Sequence, residues 1–168
     1  MKTLFTILRD TREKRPLSFP KNIKIWDRNY PPGRKKTKTI QLNVVDQHLE
    51  VGDYQLGENP MGVVVERKGS ITELHQNCIT KDSKRFIKSL DKLAEAKHPY
   101  LMVEGTPTNF FAFNRYVESP EVVLDVLTNL LTERKIQLIM MPTGAKSHRN
   151  AFANWVGRLL VNGYIWDN

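Results

Sequence analysis

The sequence predicts an α/β fold, a central sheet covered by helices. Three observations carry that prediction. Short β-branched runs stop abruptly at polar residues, stretches with helical apolar spacing appear from residue 71 onward, and 168 residues make about one domain's worth of chain. A chain this long buries on the order of 70% of its unfolded surface, enough to fold without disulfides or a structural metal. One domain spanning residues 1–168 is the expectation.

The elements follow in order. Thr3–Leu8 is short, apolar and partly β-branched, and it stops at Arg9-Asp10-Thr11-Arg12-Glu13, so it reads as a buried strand ending in a charged turn. Residues 16–38 contain Pro16, Pro20, Pro31, Pro32 and Gly33, a loop with one short strand around Ile23–Trp26. Ile40–Val45 is a strand, and Leu49–Leu56 is broken at Gly52-Asp53. Val63-Val64-Val65 runs into Glu66-Arg67-Lys68, a strand that turns polar at its end. Ser70-Ile71-Thr72-Glu73 fits a capping box and starts a helix near residue 71. Phe86, Leu90, Leu93 and Ala94 stripe a second helix over 83–97, and Tyr100–Val103 is a strand closed by Glu104-Gly105. An aromatic loop spans 106–119. Pro120 opens an apolar helix over 121–134, Ile136–Met141 is a strand, and Phe152 to Leu160 stripe the last helix.

Charge is the compositional outlier. Lys and Arg number 26 against 18 Asp and Glu, a formal +8 with a pI near 9.6. That field attracts polyanions, nucleic acid foremost. Arg34, Lys35, Lys36 and Lys38 make a basic knot, read either as a solvated loop tip or as phosphate contacts, with a nuclear-localisation signal as a weaker third reading. The single cysteine, Cys78, excludes an internal disulfide and suits a reducing compartment. No apolar run approaches the ~18 residues of a membrane span, and Leu4–Leu8 is shorter than the roughly 7–15 of a signal-peptide core. The expectation is a soluble, cytoplasmic protein with no membrane partner.

One constellation carries chemistry. On a strand Glu66 and Lys68 share a face while Arg67 points away. A carboxylate beside an ammonium at the polar end of a buried strand can hold a divalent cation and neutralise developing negative charge. Asp53, after the bend at Gly52, can meet Glu66 on a neighbouring strand, and Asp10 is a candidate third acid. Oxygen ligands of this kind suit Mg²⁺ or Mn²⁺. Each piece also has a plain reading, since Asp10 and Asp53 are turn residues by preference and Glu-x-Lys alternation is common on exposed strands. His48, His75, His98 and His148 show no ligand spacing, which with one cysteine argues against zinc.

Asp10-Thr11-Arg12-Glu13, Gly52-Asp53-Tyr54 and Val64-Val65-Glu66-Arg67-Lys68 before a Ser-initiated helix together resemble the XPF family of structure-specific endonucleases. The resemblance covers nearly the whole chain and implies a restriction-endonuclease-like fold, a central mixed β-sheet flanked by helices. It implies Asp10, Asp53 and Glu66 as metal-binding acids, the main-chain carbonyl of Arg67 as a further ligand, and Lys68 as the catalytic lysine. Arg12 and Arg67 match basic residues that hold a phosphate or brace the acids. Arg85 resembles a helical arginine facing the cleft, although the usual glutamine four residues on is Ser89 here. The family's acid four residues after the lysine is Thr72 here, leaving Glu73 as its substitute or only as the helix cap.

The implied activity is Mg²⁺-dependent hydrolysis of DNA phosphodiesters at branched or flap structures, in DNA repair or recombination, by a homodimer paired through residues 121–161. No tandem helix-hairpin-helix pattern follows, and a compact standalone nuclease suits a prokaryotic or phage genome. Two rivals stand beside this reading. One is an inactive DNA-binding or scaffolding subunit of the same fold. The other is a basic RNA-binding domain, for which aromatic residues on the sheet faces are missing. Phe110–Tyr116 reads either as a stacking surface for unpaired bases or as a hydrophobic cover.

Overall fold

The computed structural model describes residues 3–112, 119–142 and 144–168. Seven strands form one mixed sheet in the order β2-β3-β1-β4-β5-β6-β7. In chain order these are β1 (Leu4–Asp10), β2 (Asn22–Trp26), β3 (Thr37–Gln47), β4 (Tyr54–Leu56), β5 (Val63–Lys68), β6 (His98–Glu104) and β7 (Gln137–Met141). The helices are α1 (Ile71–Ile79), α2 (Ser83–Leu93), the single turn α3 (Pro107–Phe110), α4 (Pro120–Glu133) and α5 (Lys146–Asp167). Pairs β1–β3, β5–β6 and β6–β7 are parallel, and β2–β3, β1–β4 and β4–β5 are antiparallel.

Alternation along the strands splits the apolar residues into two cores. Phe5, Ile7, Ile25, Ile40 and Val65 face α5, whose Phe152, Val156 and Leu160 fill that layer. Val64, Leu101 and Val103 face the other way, under Leu74 of α1, Leu90 of α2 and Leu127 of α4. The helices of this second layer cover only the β5–β7 half of the sheet, because among the described residues none from β1, β2 or β3 joins that core.

Several elements differ from expectation for identifiable reasons. The 16–38 segment is less of a loop than its prolines suggest, since β2 pairs in full with a β3 that reaches Gln47. The Leu49–Leu56 strand shrinks to Tyr54–Leu56 because Gly52 takes φ +67° and bends the chain. The second helix stops at Leu93 rather than 97. Within the aromatic loop, Thr106 and Asn109 cap each other's backbone N–H and fold one helical turn. Helix α5 is longer than its apolar stripe on both sides.

Gly52 is the tightest of these constraints. A Cβ there would lie 2.5 Å from Val64 Cγ1 and 3.0 Å from the Val65 carbonyl oxygen, in a left-handed conformation. Gly52→Ala should therefore lower unfolding free energy by about 2 kcal/mol or more, combining left-handed strain with overpacking, as read by urea denaturation. An unchanged midpoint would contradict this account of the bend.

Candidate active site

Sheet register assembles the site. Tyr54 stands opposite Arg9 of β1 and opposite Val65 of β5. Continuing both antiparallel registers by one residue sets Asp10, Asp53 and Glu66 abreast on three adjacent strands. Backbone bonds hold them: Asp10 N–H donates to the Asp53 carbonyl at 2.9 Å, and Asp53 N–H to the Val65 carbonyl at 2.8 Å. The Arg67 N–H donates to Asp53 Oδ2 at 2.7 Å, which fixes that carboxylate against β5.

A cavity of about 620 Å³ opens over this point, between the ends of β4 and β5 and the helices α1 and α2. Asp53, Glu66, Lys68, Glu73, Arg12 and Arg85 line it. Lys68 Nζ donates to Glu66 Oε1 at 2.8 Å, lies 3.9 Å from Glu73 Oε1, and sits 5.4 Å from the centre of the Phe86 ring. Burial works against its charge, but Glu66 and Glu73 outweigh burial and raise its pKa, so the amine stays protonated. Asp53 moves the opposite way for a carboxylate. Burial, then the neighbouring charge of Glu66, push it up to about 7 despite the Arg67 N–H.

Asp10 is placed differently from the role expected of it. Its buried carboxylate takes the Arg12 guanidinium at 2.6 and 3.0 Å, the Arg12 N–H at 2.6 Å and the Leu49 N–H at 3.1 Å. Burial opposes ionisation there, yet Arg12 and the two N–H groups hold its pKa below the usual range. Asp10 does not line the cavity; Arg12 covers it and lines the cavity in its stead.

Arg67 points to the far face of the sheet. Its guanidinium binds Glu13 Oε2 at 2.7 Å and Glu104 Oε1 at 2.5 and 2.8 Å. Arg149, in the first turn of α5, shares Glu104 at 2.9 Å and donates to the Arg15 carbonyl at 2.7 Å. This brace ties the β1–β2 connection, β5, β6 and α5 together behind the site. Glu13, Glu104 and Arg149 are its unforeseen members. The available sequence signal was the acid closing the apolar β6 strand.

Glu73 combines the two readings open to it. Ser70 Oγ accepts the Glu73 N–H at 3.1 Å, as an N-cap should, but Glu73 Oε2 takes the Gly69 N–H at 3.0 Å rather than that of Ser70. Its other oxygen faces Lys68. Ser89, Gln76, Asn77, Lys92 and the acids Glu50 and Asp82 also line the cavity, Asp82 lying 3.9 Å from Arg85. Arg34, Lys35, Lys36 and Lys38 are elsewhere, at the end of the sheet where β1 begins, since Lys38 pairs with Ile25 and Gln47 with Asp10. Phe110 is buried, edge-on to His75 at 4.6 Å, while Phe113, Arg115 and Tyr116 lie outside the described residues. Cys78 is buried, which pushes its thiol up to about 11.

For a divalent cation the donor set is mixed. Among the described residues no three His, Cys, Asp or Glu side chains converge closely enough to form a cluster. Asp53 Oδ1 and Glu66 Oε2, however, accept no hydrogen bond from the described residues, and Asp53 is a half-buried carboxylate facing a second negative charge. Positive charge brought to that pair relieves the repulsion, so the two acids fit a hard cation while Asp10, clasped by Arg12, does not.

No family model and no curated protein matches the sequence. Among solved structures, XPF from Aeropyrum pernix superposes with a TM-score of 0.58 at 18% identity, covering 92% of this chain. This chain spans 60% of that one. At that identity the likeness is one of architecture, and the chain has the fold seen in XPF from Aeropyrum pernix.

Proposed function

We propose that the chain is a Mg²⁺-dependent DNA endonuclease that hydrolyses phosphodiesters at branched or flap structures. The observation that carries this reading is the meeting of Asp53, Glu66 and Lys68 in one cavity, with Asp53 driven up to about 7 by burial and by Glu66. The XPF-like fold and the net charge of +8 support it.

Asp53, Glu66 and the main-chain carbonyl of Arg67 would hold Mg²⁺ or Mn²⁺, with Asp10 joining only where Arg12 releases it. A divalent ion bound there supplies polarisation of the phosphate and a water of lowered pKa. The chain's own residues do the rest. Lys68, kept protonated, places N–H donors where negative charge grows on the phosphate, and its bond to Glu66 holds the amine in place. Arg12 and Arg85 bind flanking phosphates at the rim, while Glu73 braces the β5–α1 turn and Lys68 together. The far-side Arg67 brace fixes the strand that carries both Glu66 and Lys68.

The second reading, an inactive DNA-binding or scaffolding subunit, is favoured by one observation, the Asp10–Arg12 clasp over a position that the resemblance assigns to metal. A homodimer through residues 121–161 is part of the proposal. The described part of that region exposes Val122 and Trp155, beside an edge strand β7 whose Ile139 and Met141 are only partly covered. Among the described residues no helix is long and apolar enough to cross a membrane. The single cysteine and the charge suit a reducing, DNA-containing compartment such as a bacterial cytoplasm.

Three outcomes are expected. Lys68→Ala should cut Mg²⁺-dependent cleavage of a labelled flap substrate by about 10²–10³-fold or more while leaving metal-free DNA binding within about twofold; equal turnover would overturn the site. Asp53 has a folded pKa raised from 3.8 to about 7, so its contribution to stability is present below pH 4 and lost as pH rises through 7. Asp53→Asn should therefore raise Tm at pH 8 by several degrees, with the gain vanishing near pH 4, and Mg²⁺ should stabilise wild type but not the variant. Light scattering should give twice the monomer mass, and Val122→Glu with Trp155→Glu should return it to the monomer mass.

A further inference from the structure

The open half of the sheet connects the cavity to the basic knot. On β3, Ile40 and Leu42 face α5, so Thr39, Gln41, Asn43 and Val45 face the opposite side, and all four are exposed. On β2 the same alternation exposes Asn22, Lys24 and Trp26. Among the described residues no helix layer covers this face, and Asp10, Asp53 and Glu66 belong to the same side of the sheet. A floor of polar side chains interspersed with the exposed Leu4, Trp26 and Val45 thus runs along β3 from the side of the cavity to the strand's far end. Thr37 and Gln47 are separated by ten strand rises, about 34 Å, close to one turn of duplex DNA.

At the far end the β2–β3 connection is built rather than loose. The Asp27 N–H donates to the Lys36 carbonyl at 2.9 Å, and a 3₁₀ turn over Pro32–Arg34 follows. Trp26 Nε1 donates to the Tyr30 carbonyl at 3.0 Å, and Lys36 lies 5.8 Å from the Tyr30 ring. Arg28 anchors the arm to α5, donating to the Ile165 carbonyl at 3.2 Å and lying 5.3 Å from the Trp166 ring. Residues 21–38 hold seven basic residues and one acid, Asp27, which Lys38 meets at 3.4 Å. Arg34, Lys35 and Lys36 remain exposed, with no acid within ion-pair distance among the described residues.

We infer that this arm is a second contact for the phosphate backbone of duplex DNA, about one helical turn from the cavity, and that the duplex lies along the exposed face of β3 and β2. The inference rests on the DNA-cleaving reading and adds a length requirement to it. A substrate needs roughly ten base pairs of duplex on the arm side of the scissile bond to engage both ends. The cations read charge and groove geometry, not sequence.

The test compares flap substrates whose duplex arm is about 6 or about 20 base pairs, binding without divalent ion and cleaving with Mg²⁺. The combined variant Arg34→Gln, Lys35→Asn, Lys36→Gln keeps a residue tolerant of the positive φ at position 35. Wild type should prefer the longer arm about tenfold, and the variant should lose that preference with a salt slope about 2–3 smaller. Gln41→Glu with Asn43→Glu, which puts acids on the floor and leaves the arm intact, should weaken long-arm binding alone. Equal binding by wild type and the arm variant overturns the proposal, even if both cleave, and points to an acidic protein as the arm's partner. Length-dependent binding without any cleavage upholds the arm and removes the nuclease reading instead.

Discussion

Tyr54 fixes the geometry on which the rest depends. Its strand is three residues long, yet it pairs with Arg9 on one side and Val65 on the other, and its buried hydroxyl accepts the Leu17 N–H at 2.9 Å. A one-residue slip in either pairing would turn the acids to the opposite face of the sheet. The bend at Gly52 is what lets so short a strand enter between its neighbours without Asp53 leaving the row. Register and bend together convert three acids far apart in sequence into neighbours.

Charge is sorted by the two faces of β5. Toward α1 and α2 stand Glu66 and Lys68, bonded to one another and facing Asp53 across the register. Toward α5 stands Arg67, saturated by Glu13 and Glu104 and backed by Arg149. An arginine this buried is tolerated because two carboxylates accept from it, and removing one leaves buried charge uncompensated at a cost of about 3–5 kcal/mol. The Arg67 N–H, bonded to Asp53 Oδ2, links the two faces. The brace on one side thereby sets where the carboxylate on the other side sits.

How much of this was legible in the sequence varied with the physics involved. Alternation along Val63–Lys68 separated Glu66 and Lys68 from Arg67, and Gly52 announced the bend before Asp53. Ser70 marked the start of α1. Local pattern contains such information because side-chain direction and capping are set within a few residues. It did not contain the clasp between Asp10 and Arg12, which depends on Leu49 closing over it from the β3–β4 connection. It did not reveal Glu104 and Arg149 as partners of Arg67, since ion pairs between distant residues leave no periodic trace. Nor did it show that Arg34–Lys38 stand at the far end of the sheet, because only the full pairing of β2 with β3 carries them there.

The central claim is that Asp53 and Glu66, with Lys68 beside them, form a centre for a hard divalent cation. Crystals grown with Mn²⁺ and examined by anomalous diffraction test it most directly. The account places a peak at about 2.0–2.3 Å from carboxylate oxygens of both Asp53 and Glu66, with Lys68 still bonded to Glu66. A peak bound elsewhere on the chain, with that pair bare at saturating Mn²⁺, would contradict it.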